Sequence, residues 1–139
     1  MLEARTQKLE QRTPATLKPG GQGERLLLFA TGCIRLADRM PKTQSARLVT
    51  GQFIRSSTSA GANYQEARGA ESRADFVHKL QVVLKELRET QYWLMLVDCA
   101  GLSSSPALEP LLTEVDELIR MIVKSILTAK SNAKIQRRD

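Results

Sequence analysis

Apolar residues recur at three- and four-residue spacing through four stretches of this chain, and Pro, Gly and Ser punctuate the gaps; that pattern predicts four helices. The first is expected over about Gly23 to Met40, with Leu26, Phe29, Ala30, Cys33, Ala37 and Met40 on one face and Pro41 as its stop. A second, from about Thr43 to Ala67, aligns Ala46, Val49, Phe53, Ser57, Ala60 and Tyr64. Its middle, Arg55 to Asn63, is rich in serine and contains Gly61, so intrinsic propensity is poor and packing must hold it. Those small side chains admit a close partner helix, a reading preferred over a phosphate-binding loop.

The third helix, about Ser72 to Ala100, has Ser72 as N-cap and Asp75 in its first turn. Phe76, Leu80, Val83, Leu84, Leu87 and Leu94 form one stripe, with the polar Gln91 inside it as a register-setting residue, while Val82, Trp93, Leu96 and Val97 form a second, opposite face. One stripe can be covered by the chain's own helices; a neighbouring subunit is the expected cover for the other. The fourth helix, about Ala107 to Ala133, carries Leu108, Leu111, Leu112, Val115, Leu118, Ile119, Ile122, Ile126 and Ala129 on one broad face. Its acidic residues come early and its basic residues late, which the helix dipole explains without a ligand.

Short connections make antiparallel neighbours the default, so the expected fold is an all-α, up-down-up-down four-helix bundle over residues 23–133. Residues 1–22 read as a flexible, mildly basic arm and 134–139 as a basic C-terminal tail.

Composition sharpens this picture. Aromatic residues are 4% of the 139, which favours helix packing over a sheet sandwich. Cys33 and Cys99 fall on predicted helices, where each is expected to act as a small buried hydrophobe. No stretch has the length of a membrane span or the apolar core of a signal peptide, so a cytoplasmic protein without membrane contact is expected. The net charge of +6 permits attraction to a polyanion but does not identify one.

Chemistry is harder to find. A carboxylate-bridged metal site in a bundle needs Glu-x-x-His on two helices, and this chain has one histidine, His78, expected on the solvated surface. No zinc spacing, nucleophile elbow or phosphate loop is present, so no catalytic residue, metal or cofactor is expected. Glu86 and Glu89 share the second face of the third helix with Val82 and Trp93; at an interface they would need cationic partners, for which Arg47 or Arg55 is available.

The span from Met40 to Val97 carries a resemblance. Its Arg47 to Arg55 string (RLVTGQFIR), Ala60-Gly61-Ala62-Asn63-Tyr64, Glu66-Ala67, Ser72 to Phe76, and Leu84 to Leu94 (LKELRETQYWL) resemble the bacterial four-helix-bundle family first noted as reading frames inside intervening sequences of large ribosomal RNA genes. The resemblance implies a homopentamer with no established enzymatic activity. It extends to a relative, the accessory variability protein of diversity-generating retroelements, a basic barrel that binds nucleic acid and its reverse transcriptase.

The leading expectation is a non-enzymatic, homo-oligomeric accessory or scaffold protein that contacts RNA or DNA phosphates through Arg47, Arg55, Arg68, Lys124, Lys130, Lys134, Arg137 and Arg138. Val82, Glu86, Glu89, Trp93, Leu96 and Val97 are its expected subunit interface. The competing expectation is a protein-interaction module that docks a reverse transcriptase or other polymerase and binds no nucleic acid.

Overall fold

The computed structural model describes residues 17–138, with side chains through residue 132. Four helices account for most of it: α1 (Gln22–Asp38), α2 (Gln44–Arg68), α3 (Arg73–Cys99) and α4 (Leu108–Arg138). Among the described residues there is no strand. Each helix packs on its neighbour in sequence, and α1 also meets α4, which closes the bundle.

The helix ends follow from local chemistry. Before α1, Pro19 and the left-handed Gly20 (φ 72°) make a turn in which the Gly21 amide donates to the Lys18 carbonyl at 3.0 Å. Thr43 caps α2 by accepting from the Ala46 amide, and Ser72 caps α3 by accepting from the Asp75 amide at 3.1 Å. At the end of α3, Gly101 takes φ 62°; the Leu102 and Gly101 amides donate to the Val97 and Asp98 carbonyls, the paired bonds of a Schellman motif. Pro110 falls in the first turn of α4, where no intrahelical bond needs its missing amide hydrogen. That helix continues beyond the expected stop at Ala133, to Arg138.

The core forms where the four apolar faces meet. Leu26, Phe29, Cys33 and Leu36 come from α1, Val49 and Phe53 from α2, Leu80, Val83, Leu87 and Leu94 from α3, and Val115, Leu118 and Ile122 from α4. The small residues of α2 do what their size suggests: Ala46, Ser56, Ser57, Ala60 and Ala67 are all buried, and the Leu26 backbone of α1 passes close over Gly61. The leading segment departs from a free arm at its inner end, because Leu17 is buried. Residues 1–16 of the expected arm, and the side chains of the expected tail, lie outside the described residues.

Three placements correct the sequence reading of α3 and its neighbours. Val97 is fully buried in the chain's own core and has no surface to offer a second subunit. The buried polar residue of α3 is Thr90, while Gln91 is half-buried. Cys99 is exposed, since it lies in the last turn on the outward side of the helix; Cys33 is buried as expected. For the α3 stripes the reason is that α3 touches α2 on one side and α4 on the other, so its apolar arc is broad and the two stripes are the flanks of one face.

Candidate functional site

The flank of α3 that runs along α2 carries Val82, Glu86, Glu89, Trp93 and Leu96, all half-buried. Trp93 and Leu96 pack against the chain's own core, so part of their surface is already covered. From α2, the Arg55 guanidinium reaches across to Glu86 at 3.4 Å and also pairs with Glu89. Glu89 in turn accepts from the Trp93 indole at 3.4 Å. Tyr92 stands edge-on to Trp93, with ring centroids 5.1 Å apart at 72°, and points outward. Beneath this surface the Thr90 hydroxyl lies 2.7 Å from Ser56 Oγ and 2.8 Å from the Glu86 carbonyl, which satisfies two hydroxyls inside the α2–α3 contact.

Large apolar side chains that the sequence reading did not single out are also exposed: Leu48 on α2, Tyr92 and Met95 on α3, Leu27 and Ile34 on α1, and Leu127 on α4. For α1 the signal was there, because three consecutive leucines, Leu26 to Leu28, cannot all face one core.

The basic residues do not converge on one groove. Arg47 stands near the start of α2, where it lines a recess of about 450 Å³ with Lys42 and Asp38, and Arg68 stands at the far end of the same helix. Both are exposed, as are Lys124 and Lys130 on α4. Arg55 differs from them because its charge is engaged by two carboxylates. Lys134, Arg137 and Arg138 have side chains outside the described residues.

Elsewhere, ionisable groups serve structure. Arg25 of α1 donates to Glu114 and, at 2.8 Å, to Glu117 of α4. Burial lowers its affinity for the proton, and the bonds and charges of the two glutamates more than offset that. Burial pushes the Cys33 thiol up to about 12, against a hydrogen bond with Ser57 that acts the other way, so the sulfur stays protonated and unreactive near neutral pH. Burial also raises the Tyr64 phenol, and the Arg68 charge opposes it. Among the described residues no His, Cys, Asp and Glu cluster is arranged to hold a metal ion, and His78 is exposed. No described helix is long and apolar enough to cross a membrane.

Residues 24–124, which span all of α1 to α3 apart from the first two residues and over half of α4, match the family described as 23S rRNA-intervening sequence protein. The chain belongs to that family. A crystal structure of a protein of unknown function from the S23 ribosomal protein family of Bacteroides thetaiotaomicron is similar to this intervening-sequence protein at 33% identity, with a TM-score of 0.71. The likeness covers 76% of this chain and 98% of that one. No protein among curated sequences matches it. The family assignment agrees with the resemblance carried by the strings of α2 and α3.

Proposed function

We propose that this intervening-sequence protein is a non-enzymatic, up-down-up-down bundle that self-associates, with a pentamer as the expected assembly, and acts as an accessory scaffold on RNA or DNA. The observation that carries the nucleic-acid part is the set of outward cations: Arg47, Arg68, Lys124 and Lys130 are exposed and form no ion pair among the described residues, on a chain of net charge +6. Their wide spacing suits phosphate contacts made across several subunits better than a single base-reading groove. Cross-contacts support the alternating helix directions: Gln22 of α1 bonds Ser125 late in α4, Lys79 early in α3 pairs with Glu66 late in α2, and Gly23 meets Tyr64. The exposed Leu48, Tyr92 and Met95, with Tyr92 edge-on to the half-covered Trp93, support self-association.

The test combines native mass with binding. Light scattering is expected to give an oligomer that Tyr92→Glu with Met95→Glu dissociates, and a structured RNA is expected to bind at low salt and release steeply as salt rises. An intact oligomer that retains no nucleic acid at low salt overturns this reading. It favours the second one, a module that docks a protein partner such as a polymerase, for which the same exposed apolar residues speak. A cytoplasmic location accords with either.

A further inference from the structure

The recess of about 450 Å³ beside Arg47 is built from two parts of the chain. One wall is a single face of α2, because Arg47, Thr50, Gly51 and Ile54 follow one another at three- and four-residue steps. The other is the end of α1 with the link that follows it, where Asp38, Pro41 and Lys42 lie. Gly51 keeps the α2 wall low. A Cβ there would meet nothing within 4 Å, and the glycine stands in mid-helix, where it weakens the helix and no left-handed turn calls for it.

The polar groups of this recess are uncommitted. Asp38, Lys42 and Arg47 all line it, yet none of the three forms an ion pair among the described residues. Thr50 Oγ1 is buried with no hydrogen-bond partner, which is uncommon for a hydroxyl in a folded chain. A threonine in a helix takes either of two χ1 rotamers, so this hydroxyl can turn towards a group held alongside it. An opening of this volume suits a small ligand, and the combination of two cations, one carboxylate and apolar surface selects its chemistry. A plain anion would use Lys42 and Arg47 but be repelled by Asp38. A ligand with a phosphate at one end and a hydrogen-bond donor at the other satisfies both signs.

We propose that the recess holds one unstacked nucleotide of a single-stranded nucleic-acid segment, with a base that carries an exocyclic amine. The phosphate lies against Lys42 and Arg47, the base lies on Pro41 and Ile54, and its amine donates to the Asp38 carboxylate, as cytosine N4 does to acidic side chains. Uracil presents a carbonyl oxygen at that place, which Asp38 repels. This site rests on the nucleic-acid reading above and deepens it, adding one held nucleotide per subunit to the spread phosphate contacts.

The test titrates the isotopically labelled full chain with cytidine monophosphate, uridine monophosphate and inorganic phosphate, and follows backbone amide shifts. Cytidine monophosphate is expected to give saturable shifts around Thr50 and to bind at least about fivefold more tightly than uridine monophosphate. Asp38→Asn, at an exposed position, is expected to remove that preference. Gly51→Leu, which fills the recess, is expected to abolish the Thr50 shifts with circular dichroism unchanged. Equal affinity for the two nucleotides, inorganic phosphate bound as tightly as either, or undiminished binding by Gly51→Leu overturns the proposal. The two readings fail separately. A chain that binds cytidine monophosphate in the recess but retains no structured RNA at low salt overturns the scaffold reading and upholds the site, whereas RNA retention without cytidine monophosphate binding does the reverse.

Discussion

Thr90 of α3 and Ser56 of α2 are both fully buried and lie 2.7 Å apart, a polar contact inside an otherwise apolar helix pair. Removing one hydroxyl leaves the other with fewer partners in a dry site. Thr90→Val is expected to cost about 1–2 kcal/mol, and Thr90→Val with Ser56→Ala less than the sum of the two single changes. Urea denaturation with an unchanged slope is the measurement; strict additivity would mean that the hydroxyls do not act together.

Arg47 and Arg55 sit two turns apart on α2 and should behave differently. Arg55 is held by Glu86 and Glu89, so Arg55→Ala is expected to lower stability by up to about 1 kcal/mol, a modest value for a pair half open to water. Arg47 has no such partner among the described residues. Arg47→Ala is expected to leave the melting curve alone and to weaken RNA binding, with a shallower dependence on salt. Titrations at three salt concentrations distinguish the two.

Cys33 makes stability fall in alkali. The unfolded chain releases this proton near the ordinary thiol value of about 8.5, whereas the folded chain holds it up to about 12. Its stabilising contribution is therefore fully present below the unfolded value and is lost as pH rises through the window up to the folded one. Cys33→Ala is expected to be less stable at neutral pH, by about 1 kcal/mol for the lost volume, and to show a flatter decline across that window. At neutral pH, a maleimide is expected to label Cys99 and spare Cys33 until denaturant is added.

Two helical glycines should respond differently to alanine. A methyl at Gly51 meets nothing within 4 Å, so Gly51→Ala is expected to stabilise by about 0.5–1 kcal/mol through reduced chain entropy. At Gly32 the methyl would come within 2.8 Å of a Leu111 methyl, and that gain is expected to be cancelled or reversed. Thermal melts of the two variants, compared side by side, read the difference.

The four helices were legible because capping and punctuation agree with periodicity: Ser72 caps α3, Pro41 follows α1, and Gly101 closes α3 in a left-handed turn. What a one-helix projection could not supply was which neighbour covers each arc. Val97 reads as the outer edge of a second stripe until α2 and α4 are both in place, when it becomes core. Thr90 and Gln91 differ by one position, and only the depth of the α2 contact decides which is enclosed. Of the surface, charge left Arg47 or Arg55 as partners for Glu86 and Glu89 at an interface, and the structure selects Arg55 within the same chain; the exposed Tyr92 and Met95 depended on the rotation of α3 and were not legible.

The chain's single tryptophan stands half-covered, its indole hydrogen directed at Glu89 and its ring edged by Tyr92. Emission colour and quenching by a neutral solute can thus track in real time whatever settles on this side of α3. The molecule carries its own optical gauge of company, with no dye or tag to disturb it.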